Sequence, residues 1–409
     1  MKKKKILLIT YAFPPYAAPE SYLCSKLIGN INGVEKDVLT LNFPIKGVDD
    51  LDPSLNEYIK IKFDKIYRVD VPNIINLLSY TKIKNLLRFP DYFIIANKSL
   101  LKYIKKNINL DNYTHIITWS QFHSVHLVGL ELKKISKINW ITYFSDPWSD
   151  NPFQKSFLGL EKTLNYRMEK KVIMSSNQII YTSEETKNLV NKKYDESIEK
   201  KSHTIPHCYD KSLYIFNQTI YDTKNSYPKG VFIFRYIGKF YGERNPDLLF
   251  KALKKIKIDN PDIFKNIVFE IYGQQNTYIK TKLFINRDLV RYFGPISYLS
   301  SLNLMKTADC LLVIDAPFEN SMFFPSKLVD YMGANKNVLG ITPENGTASK
   351  IIKQMGGRSV NPNEVDEIYK AILNIYVDLS KNKKLEFNET FLKKHTSNEV
   401  SKKLSEILY

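Results

Sequence analysis

Phe232-Ile233-Phe234-Arg235-Tyr236-Ile237-Gly238-Lys239-Phe240-Tyr241-Gly242-Glu243-Arg244-Asn245-Pro246 carries three signals in succession. A β-branched and aromatic run ends at Gly238 and reads as a buried strand. A loop holding two cations, Lys239 and Arg244, follows it. Asn245 and Pro246 then supply the chemistry of a helix start, an N-cap and a first-turn proline. Strand, loop and helix in that order form the repeating unit of a parallel α/β sheet. At Gly238 no side chain bars a ligand from the backbone. Two cations at the carboxyl end of a strand, beside a helix N-terminus, suit a pyrophosphate group. The alternative reading of the same pair is a solvated charge cluster.

Outward from this segment the same alternation repeats. On the carboxyl side, strands are predicted at Val268–Tyr272, Val290–Phe293, Cys310–Ile314 and Asn337–Ile341. On the amino side they are predicted at Ile6–Thr10, Asp37–Leu41, His115–Trp119, Asn139–Phe144 and Gln178–Thr182, with a helix over Ser21–Ile31. A chain of 409 residues exceeds one ordinary core. The two cycles therefore predict an α/β protein with Rossmann-like domains over 1–206 and 207–382, joined between His207 and Lys229. Residues 383–409 form a helical tail that packs back on the N-terminal domain.

A second segment, Phe323-Phe324-Pro325-Ser326-Lys327-Leu328-Val329-Asp330-Tyr331-Met332-Gly333-Ala334, has the same logic. Pro325 and Ser326 start a helix whose unpaired amides suit a phosphate. Asp330, one turn further on, suits the hydroxyls of a ribose. An ordinary capped helix packed on a sheet is the alternative. Neither G-x-G-x-x-G nor a Walker A sequence occurs, which disfavours a dinucleotide oxidoreductase and a P-loop kinase. Asp50-x-Asp52 has the form of a metal-binding DxD but reads as a solvated turn.

In this order and at this distance apart, the two segments resemble the retaining glycosyltransferases of family four, which have the GT-B architecture: two Rossmann-like domains with parallel sheets facing across a cleft. The family's Gly-Arg, with Lys-Gly five residues on, is matched by Gly238-Lys239 and Arg244-Asn245, the cations exchanged. Its second glutamate corresponds to Asp330. Its first corresponds to Met322, which has no carboxylate, and the neighbouring Glu319 is a partial substitute. Tyr11-Ala12-Phe13-Pro14-Pro15 looks like the family's opening motif, with Ala17-Ala18-Pro19-Glu20 in place of its Gly-Gly. Ile205-Pro206-His207-Cys208-Tyr209-Asp210 resembles the stretch leading into the second domain, and Tyr143-Phe144-Ser145-Asp146-Pro147-Trp148 an Asp-Pro-Trp motif of cell-envelope members.

The resemblance implies transfer of a sugar from a nucleoside-diphosphate sugar to a hydroxyl acceptor, a glycan or lipid-linked glycan of the cell envelope. It implies a retained anomeric configuration, no cofactor and no obligatory metal. Lys239 and Arg244 then meet the charge growing on the departing diphosphate. Gly238, Ser326, Lys327, Asp330 and Glu319 complete the donor side. In the first, acceptor-side domain, His126 occupies a position similar to the family's substrate-contacting histidine. His123 is its alternative, and a packed core or surface histidine is the plain reading of either. Asp146 lies at the carboxyl end of a buried strand, where open α/β sheets place ligands, and suits an acceptor hydroxyl. Its alternative is a turn cap. Two other activities fit the resemblance: a sugar-nucleotide epimerase, and a GT-B scaffold that binds a nucleotide sugar or partner without turnover.

Composition constrains the partners. The net charge is +18, yet lysine is spread along the whole chain, with no Arg-rich arm or zinc-finger spacing. Nucleic acid is therefore not an expected partner. Cys24, Cys208 and Cys310 lie far apart, as free thiols in a reducing compartment do. Lys2–Lys5 before Ile6–Ile9 imitates a signal peptide but meets Pro14-Pro15 too soon. A cytoplasmic protein is expected. Val71–Lys106, where Ile74, Leu77 and Leu86 alternate with Lys82, Lys84 and Arg88, suits contact with the anionic inner face of the cell membrane. Ordinary outer helices are the alternative.

Overall fold

The computed structural model describes residues 4–43, 50–71, 89–151, 160–215, 224–317, 321–383 and 387–408. The chain divides into two compact units, Met1–His207 with Ser397–Tyr409, and Cys208–Thr396. Glu319 and the run from 72 to 88 lie outside the described residues, so neither the carboxylate substitute nor the part of the basic amphipathic stretch from Ile74 to Arg88 is placed.

The first unit is built on a seven-stranded sheet in the order β3-β2-β1-β4-β5-β6-β7. Its strands are β1 (Lys4–Thr10), β2 (Val34–Asn42), β3 (Lys65–Asp70), β4 (His115–Ser120), β5 (Asn139–Phe144), β6 (Gln178–Tyr181) and β7 (Ser202–Thr204). Every pairing is parallel. A parallel sheet covered on both faces needs near-continuous apolar strands. Ile6 to Ile9, all buried, supply one at its centre. The helices used below are α1 (Pro19–Gly29) and α2 (Val125–Ile135).

The second unit carries a six-stranded parallel sheet in the order β10-β9-β8-β11-β12-β13. The strands are β8 (Phe232–Ile237), β9 (Ile267–Tyr272), β10 (Arg291–Gly294), β11 (Cys310–Ile314), β12 (Asn337–Ile341) and β13 (Arg358–Val360). Its relevant helices are α3 (Asp247–Asp259), α4 (Thr277–Ile285) and α5 (Ser326–Ala334). Arg235, in the middle of β8, is fully buried because Glu270 on β9 pairs with its Nε at 2.5 Å, and the Leu304 carbonyl and Thr307 hydroxyl accept from its Nη1. The tail divides. The helix Glu389–Lys394 belongs to the second unit, while α6 (Ser397–Leu408) lies in the first, where Ser401 Oγ donates to the Leu27 carbonyl at 2.7 Å.

Each sheet reverses its strand order once, at β1/β4 in the first unit and at β8/β11 in the second. Open α/β sheets bind ligands beyond the carboxyl ends of the strands at such a point. The residues that follow those four strands are therefore the places to look for chemistry.

Candidate functional site

Beyond β8 and β11 the second unit assembles a cationic group. Asn245 Oδ1 accepts the Asp247 amide at 3.0 Å and so fixes the end of the loop, but Pro246, not Asn245, is the N-cap of α3, which has no side-chain cap. Arg244 lies in that loop with its guanidinium largely buried. Its Nη2 donates to Asp315 Oδ1 at 2.7 Å, its Nη1 to the Tyr241 hydroxyl at 2.9 Å, and the guanidinium lies over the Tyr241 ring. Burial opposes the charge, but Asp315 together with Tyr241 and Tyr236 more than offsets it and holds Arg244 above its usual range. Arg244 Nε is buried without a hydrogen-bond partner.

Asp315 did not stand out in the sequence. It is the first residue after β11, is buried, and also accepts from the Ala316 amide and the Ser321 hydroxyl. With these bonds it aims Arg244 and neutralises one cation of the group.

Lys327, the second residue of α5, supplies the other cation. Its Nζ is buried, has no hydrogen-bond partner and lies 3.8 Å from the centroid of the Tyr236 ring. Burial first, and then the Arg244 charge, push the ammonium well below the usual lysine range, against the pull of Asp315. The role of Gly238 becomes concrete here. Its φ of +151° favours glycine, and a Cβ built on it falls 2.5 Å from Lys327 Nζ. The missing side chain thus leaves room for the ammonium. Lys239 is exposed at the rim, with its carbonyl accepting from Tyr236 Oη at 3.1 Å.

Helix α5 starts at Ser326 after Pro325 without a side-chain cap, so its first amides have no capping acceptor. Asp330 is buried, and its Oδ1 accepts from the Tyr298 hydroxyl at 2.9 Å. Its carbonyl accepts from Tyr214 Oη at 2.5 Å. Two tyrosines therefore orient it. A pocket of about 270 Å³ opens beside this group, lined by Glu243, Asn245, Leu249, Ile314, Asp315 and Ile341 among others.

The first-unit residues separate from one another. His126 is wholly buried on α2, its Nδ1 bonded to Thr118 Oγ1 at 2.8 Å and its ring packed on Phe144 at 4.4 Å. Burial and then the neighbouring His123 push it well below the usual histidine range. His123 stacks on Trp148, and burial lowers it to about 3. These are the surroundings of packed, neutral core histidines, the plain reading of both. Asp146 is half-buried in the turn after β5. Asp52 of the Asp50-x-Asp52 pair caps the short helix Pro53–Leu55 and accepts from the Tyr22 hydroxyl. No group of three or more His, Cys, Asp or Glu side chains is arranged to hold a metal among the described residues.

A carboxyl that sequence reading passed over sits at the first unit's reversal point. Glu20, in the first turn of α1, is buried, and its Oε2 accepts from Trp119 Nε1 at 2.7 Å and from Ser145 Oγ at 2.6 Å. Burial raises it to about 8 against those two bonds, with the Asp146 charge adding to the rise. The folded state therefore holds this proton more tightly than the unfolded chain. The associated stability is fully present below about pH 4.5 and is lost as pH rises through about 8. Because Trp119 donates to the same carboxyl, its emission reports the ionisation. A fluorescence transition centred near pH 8 is expected, and Glu20→Gln removes it. A transition confined to ordinary carboxylate pH overturns the assignment.

With this geometry in place, known proteins provide the comparison. Residues 217–389 match the family model described as Glycosyl transferases group 1. No curated protein matches the chain by sequence. Among solved structures, the chain is similar to the sucrose-phosphate synthase of Thermosynechococcus elongatus, with a TM-score of 0.67, 16% identity, and coverage of 99% of this chain and 98% of that one. It is equally similar to HepE of Anabaena, solved in complex with UDP and glucose, with a TM-score of 0.67, 12% identity and 99% of each chain covered. WaaG, a glycosyltransferase involved in lipopolysaccharide biosynthesis, follows with a TM-score of 0.62, 14% identity, and coverage of 98% and 99%. At such identities the likeness is one of fold, and the fold is GT-B.

Proposed function

We propose that this chain is a glycosyltransferase that takes its sugar from a nucleoside-diphosphate sugar, with the diphosphate bound beyond β8 and β11. The observation that carries the reading is the pair of buried cationic nitrogens without a hydrogen-bond partner, Lys327 Nζ and Arg244 Nε, beside a helix start. Asp315 pairs with Arg244 and only acts at a distance on Lys327, and such a group is completed by an anion with several acceptor oxygens. The match of residues 217–389 and the UDP-bound HepE structure support the same donor class.

In this reading Arg244 and Lys327 bond the diphosphate oxygens, and Lys239 closes over them from the rim. The first amides of α5 add backbone donors. Asp330, steadied by Tyr298 and Tyr214, accepts from the ribose hydroxyls. As the glycosidic bond breaks, negative charge grows on the departing diphosphate. Fixed cations already in place stabilise that charge without reorganising. The acceptor is a hydroxyl of a glycan or lipid-linked glycan of the cell envelope, presented at the inner membrane face. Asp146 orients it, and the anomeric configuration is retained with no obligatory metal.

The test is a panel of nucleoside-diphosphate sugars scored by thermal shift and by release of nucleoside diphosphate. A donor that binds the native state raises the melting point, by an amount that grows with its concentration. The expected outcome is one base and sugar that stabilise the protein and are turned over. Stabilisation without turnover supports a binding scaffold, and appearance of an isomerised sugar nucleotide supports an epimerase. No response to any member of the panel sinks the donor reading.

A further inference from the structure

The outer face of α4 carries large apolar side chains left exposed among the described residues. Tyr278 is 65% exposed, Phe284 66% and Ile285 66%. At about 3.6 residues per turn, Tyr278, Thr281, Phe284 and Ile285 fall on one side of the helix. Ile279 and Leu283 point the other way into the core. Lys280 borders this strip along one flank and Lys282 along the other. Aromatic and cation are paired within it: Lys282 Nζ lies 4.5 Å from the Tyr278 ring centroid, and the Arg287 guanidinium 4.4 Å from that of Phe284.

Charge indicates what covers the strip. Thr277 to Phe293 contains four cations, Lys280, Lys282, Arg287 and Arg291, and one carboxylate, Asp288. That carboxylate is engaged by Lys257 at 2.6 Å. A second copy of this chain docking face to face would set these cations against their own counterparts, in a protein of net charge +18. An anionic lipid surface meets both demands at once: the headgroup boundary takes aromatic and apolar side chains, and its phosphates take the bordering cations.

We propose that α4 is a membrane-docking face that lays Tyr278, Phe284 and Ile285 into the headgroup boundary of an anionic bilayer, with Lys280 and Arg287 on lipid phosphates. The face needs nothing from the diphosphate site, so this inference and the donor reading fail independently.

The experiment is co-sedimentation of the full chain with vesicles of phosphatidylcholine alone and of equal parts phosphatidylcholine and phosphatidylglycerol. The protein is expected to pellet with the mixed vesicles and not with the neutral ones. The double variants Phe284→Ser/Ile285→Ser and Lys280→Gln/Arg287→Gln each lower the bound fraction roughly tenfold. All four positions are exposed, so the melting point stays where it was. Double variants that bind as the parent does overturn the proposal, as does a parent protein indifferent to the anionic lipid. A dimer in velocity sedimentation that Phe284→Ser/Ile285→Ser converts to monomer assigns the face to a second copy instead.

Discussion

Arg244→Ala is expected to lower the rate of sugar transfer by roughly a hundredfold to a thousandfold, the usual loss when one fixed donor to a developing negative charge is removed. Two features of the guanidinium set the size of this effect. Asp315 and Tyr241 hold Nη2 and Nη1, so its direction is fixed before any ligand arrives. It is also largely shielded from water, where each bond to an anion is stronger than at an exposed site. Arg244→Lys keeps the charge but loses the forked geometry and the bond to Tyr241, so it restores only part of the rate. Asp315→Asn separates aim from charge. Arg244 survives in that variant without its ionic anchor, and the loss is expected to lie between parent and Arg244→Ala. The measurement is initial release of nucleoside diphosphate at saturating donor, using the sugar nucleotide that the panel identifies. An Arg244→Ala rate within twofold of the parent removes this residue from the chemistry.

The central strands were legible because burial on both faces demands apolar runs. Phe232–Ile237, Cys310–Ile314, Asn139–Phe144 and Asn337–Ile341 begin and end where their sequences predict. Three strands escaped: β3, β7 and β13, with sequences Lys-Ile-Tyr-Arg-Val-Asp, Ser-His-Thr and Arg-Ser-Val. All three are sheet edges. An edge strand has one neighbour and a partly solvated face, so its composition need not differ from that of a loop. The fourth edge, β10, was found because Val290 and Phe293 mark it.

The site divides along the same physical line. Local signals, such as the α3 start just after Asn245-Pro246 and the α5 start at Ser326, were readable because they depend on neighbours in sequence. Contacts across the chain were not. Asp315 had a signal, a carboxylate directly after a buried parallel strand, yet only the fold shows that it faces Arg244. Glu20 had none, because its partners Trp119 and Ser145 are distant in sequence and meet it only when β4 and β5 pair. The surroundings of His126 were not legible either, because a histidine near a strand end has the same sequence signature whether it faces a ligand or packs against a hydroxyl such as that of Thr118.

Lys327 is the residue whose replacement separates stability from function most clearly. Its Nζ is buried without a hydrogen-bond partner, against the face of Tyr236 and in the space above Gly238. Exchanging a buried, poorly partnered ammonium for an apolar chain of similar shape is commonly stabilising. Lys327→Met is therefore expected to raise the melting point while weakening nucleoside diphosphate binding by roughly tenfold to a hundredfold, the worth of one hydrogen bond to a charged group. The proton inventory gives an independent check. Burial and Arg244 hold the folded-state value well below 10.5, so between that value and 10.5 the unfolded chain binds more protons than the folded one. Stability then rises with pH from the depressed folded value up to about 10.5, and Lys327→Met removes that rise. In that pH window a bound diphosphate supplies an anionic partner and favours the ammonium, so complex formation takes up a proton. Titration calorimetry in two buffers of different ionisation enthalpy reads that uptake directly. Its presence in the parent and absence in Lys327→Met places the ammonium on the diphosphate, and equal uptake in both proteins places it elsewhere.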